Sequence, residues 1–317
     1  GIRDRIRLLE FRRVLCRSAA WVTGTEVRAL DEVADVCLPG PDERALAAED
    51  ALREAAGLAP RFAVAHAVMI RPSTDGTWED EGTDARRWRL RISAPGARSL
   101  NCGFTAYYMP AGGELRVRST SGDLEVGPFT AADNEQHGQL WTPVVPADEI
   151  VVEVRVPRAE QGALLLELTA INVGYRGFDA LLERAGTCNV DVVCPEADPW
   201  QVQVHSVGVI AIEGQLYCSG FLVNNTAQDK KPYFITANHC GVTTGNAASL
   251  VVYWNYQSPT CGEQGGGSLS QYQTGSVLRA AYSVTDFTLV ELDDAPAPEF
   301  DVVFAGWDRT EAPPSSA

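Results

Sequence analysis

Two stretches near the C-terminal end of the chain decide its fold: YFITANHCG (residues 233–241) and TDFTLVEL (residues 285–292). Each contains a short run of apolar, β-branched and aromatic residues, which is typical of a strand. The first run leads to His239, directly beside Cys240, and the second opens at Asp286. The gap between these two residues suits two loops that meet at the rim of one barrel. The pattern therefore predicts a polar histidine–aspartate pair at the edge of a β-structure.

Further short strands surround these two stretches and turn residues separate them. The predicted runs are residues 201–212, 215–223, 233–237, 249–256, 276–281, 286–292 and 302–306. Six or seven short strands in so compact a stretch indicate one closed six-stranded barrel.

The preceding part of the chain has a different pattern. Pro39-Gly40-Pro41 breaks the chain, and residues 43–57, rich in Ala, Leu and Glu, predict one helix capped by Asp42 and ended by Gly57. From residue 61 to 178 short alternating runs follow, for example at 87–93, 114–119, 149–154 and 163–168. Period-2 alternation at this spacing predicts an antiparallel β-sandwich.

These patterns divide the chain into four parts. Residues 1–39 are ambiguous, residues 40–178 form a helix plus sandwich, residues 179–187 link, and residues 188–317 form the barrel part. The fold class expected is all-β throughout.

Composition excludes several classes of function. The formal net charge is −16, which argues against nucleic acid or an anionic membrane as a partner. No apolar run approaches the roughly 20 residues that span a bilayer. The eight cysteines lack the paired spacing of a zinc site, so a disulfide framework in a secreted protein is the favoured interpretation, and no cofactor is expected.

The barrel part resembles the N-terminal half of a bacterial lysyl-endopeptidase-type serine protease, a relative of the trypsin-like enzymes. The segments that carry the resemblance are CNVDVVCPE (188–196), FLVNNT (221–226), YFITANHCG (233–241), LVVYWNYQSPTC (250–261), TDFTLVEL (285–292) and AGWDR (305–309). NVGYRGF (172–178) is similar to the end of the propeptides that precede such enzymes. The resemblance implies a chymotrypsin-like double β-barrel, of which this is the first barrel, preceded by a prodomain.

The resemblance also implies roles for particular residues. His239 would be the general base of a Ser-His-Asp triad, and Asp286 would orient its imidazole. Cys218 would pair with Cys240, and Cys194 with Cys261. Cys188 would pair with a cysteine outside this chain.

The nucleophile is the part of the triad that we do not find. No glycine-flanked serine follows Asp286, and Ser219, Ser268 and Ser270 are poor candidates by their positions. We therefore expect a fragment of a secreted precursor, cut at both ends, that lacks the serine, the oxyanion hole and the S1 pocket and is inactive alone. Its substrates would be polypeptides. The prodomain would act in cis, assisting folding or blocking the cleft until cleavage near Arg184.

Two alternatives stay open. The chain could be a non-catalytic secreted β-sandwich binding protein with a relic protease half-domain. The second alternative is a site formed by other polar groups. We do not favour it for His66, His137 and His205, which we interpret as ordinary surface or core histidines. We interpret the acidic pairs Asp123 with Glu125 and Asp133 with Glu135 as solvated turns, because no calcium-loop pattern accompanies them.

Overall fold

The computed structural model describes residues 28–177, 190–263 and 265–309. Ten strands in this part of the chain precede residue 178: β1 (Asp35–Cys37), β2 (Ala63–Ile70), β3 (Thr77–Glu81), β4 (Ala85–Ser93), β5 (Ser99–Tyr108), β6 (Glu114–Ser119), β7 (Glu125–Phe129), β8 (Leu140–Trp141), β9 (Glu149–Pro157) and β10 (Leu165–Gly174). The described residues after the linker add β11 (Val207–Ile212), β12 (Leu216–Val223), β13 (Tyr233–Thr236), β14 (Val251–Trp254), β15 (Tyr272–Thr274), β16 (Ser276–Tyr282) and β17 (Phe287–Leu292). The all-β prediction is confirmed.

Helix α1 (Glu43–Ala55) forms where the sequence predicts it. The Asp42 side chain accepts a hydrogen bond from the Ala45 N–H at 3.0 Å, which satisfies a free donor of the first turn. Gly57 follows the Ala56 C-cap of the helix, and its φ of 67° is the left-handed conformation that glycine adopts without strain.

The N-terminal part is a sandwich of two sheets. One sheet has the strand order β1-β4-β9-β6-β7, with β3 beside β4, and the other has the order β2-β10-β5-β8. All pairings are antiparallel except that of β1 with β4, which is parallel. A strand as short as β1 gives no alternation from which its direction could be predicted.

Strand β4 shows why this sheet forms. Its sequence ARRWRLRIS alternates, so that Trp88, Leu90 and Ile92 enter the core with at most 2% of each side chain exposed. Burying an apolar side chain of this size contributes roughly 1.5–3 kcal/mol. The arginines between them project to the other face, where acidic residues of neighbouring strands pair with them.

One of these ion pairs is buried. Arg89 donates to both carboxylate oxygens of Glu79, at 2.7 and 2.8 Å, and the two side chains are 3% and 4% exposed. The Arg28 backbone covers the pair: its N–H donates to Glu79, and its carbonyl accepts from Arg89. Because each of the two charges neutralises the other, loss of either partner would leave a buried charge without its counter-ion.

The C-terminal part is a closed barrel. Its sheet has the order β15-β14-β11-β12-β13-β17-β16, and β15 and β16 are consecutive segments separated by Gly275. Gly275 bonds to both sides, because its N–H donates to Leu250 and its carbonyl accepts from Asp293. Taken as one bent strand, β15 and β16 close the sheet on itself, so six chain segments form the barrel.

One predicted strand of the barrel, the run 201–212, forms a strand only from residue 207, and another is wrong. Residues 201–204 of the run 201–212 form a helical turn, α2 (Gln201–Val204), closed by the His205 N–H on the Gln201 carbonyl. The stretch 302–306 is no strand, because its Val303 and Ala305 N–H groups donate to two different chain segments rather than to one ladder. Strand β15 was not predicted.

A shared apolar cluster joins the sandwich to the barrel. Sandwich residues Phe62, Trp141 and Val144 are packed in one buried cluster with barrel residues Tyr217 and Tyr253. The Val144 N–H donates to the Tyr253 hydroxyl across this boundary at 2.9 Å. The sandwich and the barrel are therefore packed directly against each other.

A turn of the barrel inserts into the sandwich. Gly214, between β11 and β12, offers its carbonyl to the Asn101 side chain at 3.0 Å, and Asn172 in turn donates to Asn101. A Cβ on Gly214 would lie 2.1 Å from the Asn101 Oδ1 atom, so only glycine fits there. No helix in the described part of the chain is long and apolar enough to cross a membrane.

Candidate active site

The loop that carries His239 is anchored from two directions. It follows β13 as a short 3-10 turn (Asn238–Cys240), and Cys240 forms a disulfide with Cys218 on the neighbouring strand β12. Just before the turn, the Thr236 hydroxyl donates to the Ser219 carbonyl at 2.7 Å. These links fix the loop to the wall of the barrel.

Asp286 reaches the same end of the barrel from the next strand. Strands β13 and β17 are antiparallel neighbours with Thr236 opposite Thr288, so the end of one lies beside the start of the other. Asp286 has φ of 53° and ψ of 43°, a left-handed conformation that aspartate tolerates better than most residues. This bend directs its carboxylate back toward the histidine loop.

Asp286 binds His239 through hydrogen bonds to both of its carboxylate oxygens. His239 Nδ1 lies 2.7 Å from Asp286 Oδ2, and the backbone N–H of His239 donates to Asp286 Oδ1 at 2.8 Å. The Asn238 N–H also donates to the Asp286 carbonyl at 3.1 Å. The bond from the His239 backbone, then the bond from its ring, lowers the pKa of Asp286 and keeps it ionised.

This geometry selects one tautomer of the ring. An ionised carboxylate only accepts hydrogen bonds, so Nδ1 carries the hydrogen and Nε2 of the neutral ring keeps its lone pair. Among the residues that the structure describes, Nε2 has no hydrogen-bond partner. The pair is solvent-accessible, with side-chain exposures of 57% for His239 and 50% for Asp286. The arrangement can therefore accept a proton at Nε2 while Asp286 stabilises the imidazolium that forms.

The other predicted site residues fall into two groups. Cys194 forms a disulfide with Cys261, the second of the two pairs named from the resemblance. Cys188 and Arg184 lie outside the described residues. Of the serines considered, Ser268 and Ser270 share a hydrogen bond with each other at 2.8 Å.

A metal at this site is inconsistent with the disulfide. Potential ligand atoms of Cys218, His239 and Cys240 lie within 4.8 Å of one another. The two sulfurs are bonded to each other, so neither is available as the thiolate that a metal requires.

Comparison with known proteins assigns both halves of the chain to one family. The family model "Lysyl endopeptidase N-terminal domain" matches residues 42–169, and "Lysyl endopeptidase, C-terminal domain" matches residues 182–317. The chain belongs to the lysyl endopeptidase family. A lysyl endopeptidase of Pseudomonas aeruginosa is 26% identical over 270 residues, which are 74% of this chain and 54% of the relative. The chain thus spans about half the length of that relative. As a member of the lysyl endopeptidase family, it is a serine protease homologue.

The structure also shows polar contacts that the sequence analysis missed. His137, interpreted as an ordinary histidine, bonds Asp293 of the barrel at 2.8 Å. Asp133 and Glu135, interpreted as solvated turn residues, line a pocket between the sandwich and the barrel. Asp133 also accepts from the Thr130 N–H in a capping box. No local pattern could have predicted the contact of His137 with Asp293, because the two residues are 156 positions apart, whereas the Thr130–Asp133 capping box is a local pattern that the sequence analysis overlooked.

Proposed function

We propose that this chain carries two members of the Ser-His-Asp triad of a secreted serine endopeptidase. His239 is the general base, Asp286 orients it, and the serine, oxyanion hole and S1 pocket come from residues outside this chain. The observation that carries the proposal is the pair of hydrogen bonds by which Asp286 binds the ring and the backbone of His239. The two disulfides support secretion, since such bonds persist in oxidising compartments.

The proposed mechanism follows from the tautomer. Nε2 of His239 takes the proton of the serine hydroxyl as the serine oxygen attacks the peptide carbonyl. The same nitrogen then returns the proton to the departing amine, which leaves an acyl-enzyme that water hydrolyses. Asp286 stays ionised throughout and stabilises the imidazolium.

The surface beside the pair supports a missing second barrel. Val207, Tyr282 and Val284 expose 47%, 56% and 78% of their surface. Val207 and Asp286 line one open cleft together with Phe221 and Phe287. Apolar surface of this kind is typical of a face that packs against another domain.

We further propose that residues 28–177 include the prodomain, acting in cis as a support for folding. The sandwich contacts the barrel around Gly214, Tyr253 and Asp293. Asp293 follows the far end of β17, about 20 Å along the strand from Asp286. This placement favours assistance in folding over blockage of the cleft. Cleavage near Arg184 stays a proposal; unchanged maturation of an R184A variant of the full-length protein would overturn it.

The deciding experiment compares two aspartates in the protein expressed with any coding sequence downstream of residue 317. Lysyl peptides are the first substrates to try, since the matched relative is called a lysyl endopeptidase. D286N should lower kcat about 10⁴-fold, because an uncharged amide neither selects the tautomer nor stabilises the imidazolium. D301N is the matched control, because Asp301 is exposed and has the same φ of 53° as Asp286.

Two outcomes would overturn the proposal. Wild-type kcat in D286N would exclude the triad role. Peptide hydrolysis by residues 1–317 alone would show that the serine is not outside the chain. The alternative, a binding protein with a relic barrel, gains support if the downstream sequence contains no glycine-flanked serine.

A further inference from the structure

The contact between the sandwich and the barrel includes an unusual cluster of like charges. Asp133 and Glu135 come from the sandwich, in the loop between β7 and β8, and Asp293 and Asp294 come from the barrel, just after β17. All four line one small pocket with Gln139 and Gly275. Each body therefore presents two carboxylates to the other at their contact.

One hydrogen bond spans this cluster. His137 Nε2 lies 2.8 Å from Asp293 Oδ2, and the two side chains are 17% and 5% exposed. The Gln139 N–H donates to His137 Nδ1 at 3.1 Å, so Nε2 is the nitrogen that carries the hydrogen and donates to Asp293. This bond joins the sandwich to the barrel within the cluster of carboxylates.

Four titratable groups among the described residues face Glu135 and affect its ionisation. They are Asp293, Asp294 and Asp133, which oppose its ionisation, and His137, which favours it. Asp133 and Asp293 likewise oppose the ionisation of Asp294. Repulsion therefore crosses the boundary in both directions.

We propose that these four carboxylates form a pH-sensitive clamp, which holds the sandwich on the barrel in acidic solution and loosens the contact as the pH rises. The clamp does not depend on the proposed peptidase activity. It acts on the contact between the two bodies, and it can be measured without substrate.

The sign follows from the two acids at the boundary. Burial first, and then the neighbouring carboxylates, raise the pKa of Glu135 above its ordinary 4.5 and that of Asp294 above its ordinary 3.8. The packed form thus holds protons that the separated form releases. Stability from this source is fully present below the ordinary values and is lost as the pH rises through the raised pKa of each group.

Two amides report directly on the contact. The Gly127 N–H donates to the Tyr272 hydroxyl at 2.8 Å, and the Val144 N–H donates to the Tyr253 hydroxyl at 2.9 Å. Both bonds cross from the sandwich to the barrel. Val152 in the sandwich core and Ile210 in the barrel core serve as internal references.

The test is hydrogen exchange of the full chain from about pH 3.5, below both ordinary pKa values, to about pH 8, corrected for the intrinsic pH dependence of exchange. The Gly127 and Val144 amides should lose protection, by up to about tenfold per pH unit for each proton released, while Val152 and Ile210 keep theirs. The variants E135Q and D294N should each flatten this loss. Glu196→Gln removes one carboxylate from an exposed position of the barrel and should behave as wild type.

The outcomes separate cleanly. Equal pH dependence in wild type, E135Q and D294N would overturn the clamp, as would protection that rises with pH. Loss of protection at Val152 and Ile210 in step with the reporters would show global unfolding instead and would equally overturn it. Since Asp294 is more exposed than Glu135, D294N keeps the proposal testable if E135Q fails to fold.

Discussion

Asp286 binds both the ring and the backbone of His239, with one carboxylate oxygen for each. The bond from the His239 backbone orients the Asp286 carboxylate independently of the ring, because the peptide N–H cannot rotate away. The ring then has one stable orientation, with Nδ1 toward the acid. Among the described residues, the hydrogen bonds that preorganise the pair all come from this single barrel.

The first prediction concerns the titration of Asp286. The variant H239A should raise the pKa of Asp286 toward its ordinary 3.8, because it removes the ring bond and leaves the backbone bond. Stability from the pair is present above that ordinary value and is lost as the pH falls through the lowered pKa. The carboxyl carbon shift of Asp286, followed by NMR, measures the change. An unaltered titration in H239A would show that the ring does not act on the carboxylate, and H66A is the control histidine.

The second prediction concerns the disulfide next to the site. Replacing Cys218 and Cys240 together with serine opens a closed segment with a sequence separation of 22 residues. The free energy of unfolding should fall by roughly 3 kcal/mol in the chain-entropy model. Urea unfolding measures the loss, and C37S is the control because Cys37 forms no disulfide with any cysteine that the structure describes. Equal midpoints for the double variant and C37S would contradict the expectation.

The third prediction concerns the buried pair Arg89–Glu79. The variant E79Q should destabilise the protein by about 3–5 kcal/mol, because it leaves the Arg89 guanidinium charged and buried without a counter-ion. Thermal and denaturant unfolding measure this. E125Q is the matched control, since the Arg116–Glu125 pair is 34% and 38% exposed and should contribute at most about 1 kcal/mol. Similar losses in both variants would mean that burial of the pair is unimportant.

The fourth prediction concerns the turn that enters the sandwich. Gly214 and Gly57 have similar φ values, 65° and 67°, but only Gly214 would bring a Cβ against neighbouring atoms. G57A should cost about 1–2 kcal/mol from left-handed strain alone. G214A should cost more, and it should also reduce exchange protection of the Val144 amide at the boundary. The turn would be shown not to anchor the contact if the two variants lost equal stability and Val144 were unaffected.

Local chemistry determined much of this molecule from the sequence by itself. Alternation in β4 places Trp88 and Leu90 inside because the side chains of a strand point to opposite faces in turn. Asp42 and Gly57 set the ends of α1 because one satisfies a free amide and the other adopts a left-handed turn. Where the same rules failed, as in residues 201–204, two valines spaced like a strand occur in a helical turn that pairs with no sheet.

Only the tertiary structure decided how distant segments meet. The residue types of His239 and Asp286 were readable, but the left-handed bend that directs the carboxylate depends on the pairing of β13 with β17. The contact of His137 with Asp293 joins groups 156 residues apart. Such contacts depend on how one packed body lies against another, and short-range sequence patterns carry no information about that placement.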